Sequence, residues 1–146
     1  MSVLVFLNLD GFLHPISGDN VFDDHCMDSL RIALDSVSVN LVISSSWREH
    51  YHFDELQQFL VSLNVPVIGV TPVIDDPFLI NVRYYEVIRY LESTVGLNQQ
   101  WLAIDDTPGF YPADAPVYWT DSRSGFSSND MEPLKQMLTL IETDKL

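Results

Sequence analysis

Three short apolar runs in this chain stop abruptly at polar clusters. Val3-Leu4-Val5-Phe6-Leu7 ends in Asn8-Leu9-Asp10-Gly11. Val39 to Ile43 ends in Ser44-Ser45-Ser46-Trp47-Arg48, and Trp101 to Ile104 ends in Asp105-Asp106. Runs of this length, rich in Val, Leu and Ile, read as strands buried on both faces, the situation of a central strand in a parallel sheet. Helical periodicity fills the stretches between them. Strand and helix signals in alternation leave few architectures, and the expected one is α/β with a mainly parallel sheet. In such a sheet the carboxyl ends of the strands share one edge, and open α/β sheets place their chemistry there.

The remaining elements follow from local signals. Asp23 or Asp24 caps a helix running to about Ser36, with Met27, Leu30, Ala33 and Leu34 as its apolar stripe. Phe53 to Leu63 reads as a helix, and Val65 to Val70 as a strand. After Pro72 and Pro77, a helix is expected from about Leu79 to Ser93, with Val82, Tyr85, Ile88 and Leu91 or Tyr90 facing in. Val117 to Thr120 is a short fifth strand. A closing helix spans Asn129 to Thr143, capped near Ser128 or Asn129.

Size and composition bound the rest. At 146 residues, with 47% hydrophobic and 19% charged residues, the chain fits one globular domain covering residues 1 to 146. No apolar run reaches membrane-spanning length, and the N-terminus lacks the basic start of a signal peptide. A lone cysteine, Cys26, fits a reducing compartment, so a cytoplasmic location is expected, with no membrane partner. The formal charge is −14, from 21 acidic and 7 basic residues. That field repels nucleic acid unless a basic patch or a metal intervenes, and it suits a divalent cation or a basic protein partner.

Asn8 and Asp10 are two apart, so in an extended segment they lie on one side, and Gly11 permits a sharp exit. With Ser44 to Ser46 and Asp105/Asp106, three separated segments converge on one crevice. Trp47 reads as packing rather than substrate stacking. Arg48 suits either a phosphate or an acidic side chain. His25 and Cys26 are adjacent, but no further ligand has zinc-like spacing. His50 and His52 read as surface residues.

These motifs, in this order, resemble the haloacid dehalogenase (HAD) phosphohydrolases, whose first strand ends in D-x-D-G. The closer resemblance is to the small group of HAD domains in Swiss Army Knife RNA repair proteins. Asp10-Gly11-Phe12-Leu13-His14-Pro15, Ser45-Ser46-Trp47-Arg48, Thr71-Pro72, Arg83-Tyr84-Tyr85-Glu86-Val87 and Ile104-Asp105-Asp106 carry it. The resemblance implies a Rossmann-like three-layer α/β/α sandwich without a cap domain. It also implies Mg²⁺ and an aspartyl-phosphate mechanism on a phosphorylated substrate, with a nucleic-acid end as one possibility. Position 8 would be the nucleophile, and Asp10 the acid and then the base. Ser45 would hold phosphate oxygens, and Arg83 would neutralise developing charge. Ser46, Arg48 and His14 are further candidates for substrate contact. Position 8, Asp10 through its carbonyl, Asp105 and Asp106 make the expected metal set.

Asn8 breaks this pattern, because the nucleophile position holds an amide. An amide oxygen is uncharged, a poor nucleophile and a weaker Mg²⁺ ligand than a carboxylate. Two readings follow. The chain is an active phosphatase made inactive at one residue, or it is a pseudophosphatase serving as an acidic binding module, as immunity proteins do for basic nucleases.

Overall fold

The structure, a computed structural model, describes residues 2–9, 22–121 and 123–143. Five parallel strands form one sheet: β1 (Val3–Leu7), β2 (Val39–Ile43), β3 (Val67–Val70), β4 (Trp101–Asp105) and β5 (Val117–Trp119). Their order is β3-β2-β1-β4-β5, each neighbour parallel. The helices are α1 (Asp24–Leu34), α2 (Phe53–Phe59), α3 (Val82–Ser93) and α4 (Met131–Glu142). From β1 the chain winds outward to β2 and β3, then returns and winds the other way through β4 and β5. The reversal falls between β1 and β4, where doubly wound sheets open a crevice.

Strand alternation sorts the two faces of the sheet. Val3, Val5 and Leu7 point to one side, where Leu30 and Leu34 of α1, Leu56 of α2, and Leu134 and Leu138 of α4 cover them. Leu4 and Phe6 point to the other, against Val87, Tyr90 and Leu91 of α3. The result is the three-layer α/β/α sandwich expected. From Ser44 to Asp105 the chain is taken up by α2, β3, α3 and their connections. Among the described residues no inserted domain covers the strand ends. No helix among them is long and apolar enough to cross a membrane.

Local chemistry explains where the elements begin and end. Asp23 caps α1 by accepting the Cys26 N–H at 3.1 Å. The helix expected from Phe53 to Leu63 breaks after Phe59. A 3-10 turn at Val61–Leu63 follows and ends on Asn64 in the left-handed region. β3 starts at Val67 rather than Val65, since Pro66 has no N–H for a ladder. α3 starts at Val82, because Asn81 is left-handed at φ 61° and cannot continue a helix backward toward Leu79. Ser127, not Ser128 or Asn129, opens the final helical segment, through a capping box with Asp130.

One expectation about α3 fails. Tyr85 is 45% exposed, and the inward face is Glu86, Val87, Tyr90 and Leu91. The stripe is rotated by about one residue because a carboxylate, Glu86, is buried in it. Hydrophobic patterning counts a Glu as outward facing, so it puts Tyr85 on the inner face in place of Glu86 and Val87, while Leu91 and Tyr90 face in as expected and Ile88 packs against the core.

Candidate active site

Strand register builds the site. Leu7 pairs with Ile43 on one side and with Ile104 on the other, and Ile43 pairs with Val70. The next residue of each strand therefore falls in one row across the sheet edge: Thr71, Ser44, Asn8 and Asp105. All four are buried. Buried polar side chains side by side are what a parallel sheet tolerates only where they serve one another or a ligand.

Asn8 stands at the reversal point. Its amide nitrogen donates to Asp105 Oδ1 at 3.1 Å and to Asp106 Oδ1 at 3.2 Å. One neutral group thus clamps two carboxylates with its two N–H bonds. Asp105 Oδ1 also accepts the N–H groups of Asp106 at 2.7 Å and Thr107 at 3.0 Å. Its other oxygen, Oδ2, is buried and has no hydrogen-bond partner among the described residues. Burial pushes the Asp105 carboxyl up to about 6, against the partial relief of the backbone N–H groups.

Three more buried polar atoms lack hydrogen-bond partners among the described residues: Ser44 Oγ, Arg83 Nε and the Tyr111 hydroxyl. The Tyr111 hydroxyl lies beside Ser44 and within the electrostatic reach of Asp105 and Arg83, and its pKa is raised chiefly by burial. An unpaired buried polar atom typically costs about 1–3 kcal/mol. Orphans of opposite hydrogen-bonding character gathered at the strand ends mark a place shaped for a polar ligand.

The arginines behind this row are organised by Glu86. Its Oε1 pairs with Arg48 Nη2 and with Arg83 Nη1, each at 2.9 Å, and its Oε2 accepts the Ile74 N–H at 2.9 Å. Arg48 also donates Nε to Thr71 O, Nη1 to Ser44 O and Ser45 O, and Nη2 to Pro72 O. Arg83 lies over the Phe110 ring, 4.8 Å from its centroid.

A family model described as "HAD domain in Swiss Army Knife RNA repair proteins" matches residues 4–131. The chain belongs to this family. No curated protein and no solved structure gives a significant match.

Within this HAD domain, Asn8, Ser45, Arg83, Asp105 and Asp106 all sit at or beside the strand ends. Asp10 and His14 lie outside the described residues. Ser45 caps the 3-10 turn Ser46–Glu49, accepting the Trp47 N–H at 3.3 Å. Ser46 is half-buried on that turn. Trp47 packs, as expected, stacked on Phe22 at 5.1 Å and against Phe59 at 6.0 Å.

Arg48 was open between phosphate and an acid, and the structure gives it to an acid. That acid is the buried Glu86. All five guanidinium N–H groups have internal acceptors, and the side chain is 1% exposed, which leaves it nothing to offer a substrate. Its role is to brace the Ser44–Ser45 and Thr71–Pro72 backbone. Sequence reasoning passed over Tyr111, which carries no motif signal. It also passed over Glu86 as a site residue, although its spacing of three from Arg83 puts both on one helical face.

The donor set bears on a cation. Among the described residues no group of three or more His, Cys, Asp or Glu is arranged to hold a metal. The orphan Asp105 Oδ2 and the Asp106 carboxylate are oxygen donors of the kind Mg²⁺ takes. Asn8, as placed, presents N–H toward them, not oxygen. The two carboxylates fit a hard cation, and position 8 would fit one better as a carboxylate.

Asp105 also makes a stability prediction. Its folded pKa of about 6 lies above the ordinary unfolded carboxyl value near ~3.9, so the fold disfavours its charged form. Stability from this group is therefore present below about pH 4 and lost as pH rises through about 6. Asp105→Asn keeps an acceptor at Oδ1 and removes the charge. It is expected to stabilise the protein by about 2 kcal/mol at pH 8 and by almost nothing at pH 4. Urea midpoints at both pH values check this, and an equal gain at both would assign the effect to packing.

Proposed function

We propose that this is a HAD-type, Mg²⁺-dependent phosphohydrolase site that carries an amide at its nucleophile position, so that the chain as written holds ligand without turning it over. The observation that carries this reading is the row of Asn8, Ser44 and Asp105 at the strand reversal, with unpartnered polar atoms facing it. With an aspartate at position 8, a carboxylate would stand where attack on phosphorus is made in this family. Asp10 would protonate the leaving oxygen and then activate water. Ser45 and neighbouring N–H groups would hold phosphate oxygens, and Arg83 would offset the charge that develops on them. Mg²⁺, held by position 8, the Asp10 carbonyl and Asp105 with Asp106 alongside, would neutralise phosphate charge. An open edge without a cap suits a phosphate on a large molecule, such as a nucleic-acid end or a phosphoprotein.

The Asn8 clamp supports a second reading. Two acids bridged by an amide, each through one oxygen, are held together without a cation, which suits a pseudophosphatase that uses its acidic surface to bind a basic protein. One experiment separates the two. Asn8→Asp is assayed with Mg²⁺ on aryl, nucleotide and oligonucleotide-end phosphates, and hydrolysis supports the first reading. No turnover on any of them removes it and leaves the binding module.

A further inference from the structure

The segment between β3 and α3 exposes apolar side chains that the site does not use. Phe78 is 91% exposed, Ile80 76% and Val73 46%. A single exposed apolar residue is ordinary, but three within eight residues on one held segment are not. The segment is tied down along its length. Arg48 grips Thr71 O and Pro72 O, and Glu86 accepts the Ile74 N–H. Asp76 accepts the Phe78 N–H through Oδ1 and the Leu79 N–H through its carbonyl. Asn81 N–H closes the far end on Gly109 O at 3.2 Å. Phe78 and Ile80 are thus displayed on an anchored lip at the carboxyl edge of the sheet, with little ordering left to lose on contact.

The charge around the lip selects its partner. Asp75 and Asp76 are exposed beside Phe78. No Lys or Arg occurs between Arg48 and Arg83, and neither of those reaches far into solvent, their side chains being 1% and 14% exposed. A nucleic acid or an anionic membrane would bring phosphates to two aspartates on a segment that carries no basic residue of its own. We infer that this lip docks a basic polypeptide segment, one in which Lys or Arg flanks an apolar or aromatic side chain. Phe78 and Ile80 enter the partner's apolar surface, while Asp75 and Asp76 steer and pair its cations. The inference names a surface for the binding reading but stands apart from hydrolysis at position 8, so the Asn8→Asp assay and the following test fail independently.

The test is selection of a phage-displayed random-peptide library on the immobilised full chain, followed by calorimetry with the synthesised winners. Enriched peptides are expected to combine Lys or Arg with Phe, Trp or Leu. Phe78→Ser/Ile80→Ser is expected to weaken their binding by about tenfold or more, as loss of apolar anchors does. Asp75→Asn/Asp76→Asn is expected to slow association and flatten its salt dependence. These side chains are exposed, so melting temperatures should stay within about 2 °C of the parent for such surface changes. The inference is overturned if no peptide is enriched over bare support or if the winners are acidic. Equal binding to the Phe78→Ser/Ile80→Ser protein, or displacement of the winners by a single-stranded oligonucleotide, overturns it equally.

Discussion

Glu86→Gln is expected to destabilise the protein by about 3–5 kcal/mol, the usual result of removing one partner from a buried ionic cluster. Among the described residues, this carboxylate is the only negative group placed against both Arg48 and Arg83, each at 2.9 Å, with Arg48 and Glu86 each 1% exposed. Glutamine keeps the shape and removes the charge. Its single oxygen can face the two guanidinium groups or the Ile74 N–H, and either choice sets an NH₂ group against another donor. Nothing nearby re-forms the pair, because Arg48's other donors already rest on backbone carbonyls. Urea denaturation of the parent and Glu86→Gln measures the difference. A loss under about 1 kcal/mol would mean that the cluster behaves like an exposed ion pair.

This cluster also shows where a sequence stops being readable. β2 (Val39–Ile43) and the row of polar strand ends were legible, because a run buried on both faces leaves few alternatives and its first polar residue marks its end. The cap of α1 was legible to within one residue, as Asp23 or Asp24, for the same local reason, and the structure gives it to Asp23. The inward face of α3 was not. It is decided by Arg48, which lies 38 positions before Glu86 in sequence and enters only through the fold. Tyr111 could not be placed either, since its position beside Ser44 and Asp105 depends on the path of the β4–β5 connection. The motif order identified the family, and the register of β1 with β2 and β4 explains why those motifs work together. Asn8 was visible as a departure, but its clamp on two carboxylates needed coordinates.

Asn8→Asp is expected to turn a protein that responds weakly to Mg²⁺ into one that depends on it for stability as well as for turnover. In the chain as written, two N–H bonds at 3.1 and 3.2 Å hold Asp105 and Asp106. The substitution replaces them with oxygen facing oxygen and adds a third negative charge beside a carboxyl that burial already holds up at about 6. With EDTA present, Asn8→Asp should melt below the parent. A divalent cation answers all three carboxylates at once, and a ligand at 100 times its dissociation constant stabilises by about 2.7 kcal/mol. Saturating Mg²⁺ should therefore raise the Asn8→Asp midpoint by several degrees and leave the parent almost unmoved. Equal shifts in both proteins would show that the amide does not stand in for the cation. On the phosphatase reading, turnover with Mg²⁺ should rise by about a thousandfold or more over the parent, the scale set by loss of one essential catalytic group. Asp10→Asn in the same background should remove that gain, because neither the leaving oxygen nor the attacking water would then be served. Mg²⁺-dependent stability without turnover would keep the metal assignment and discard the hydrolase. The two readouts thus answer separate questions about the same pair of acids.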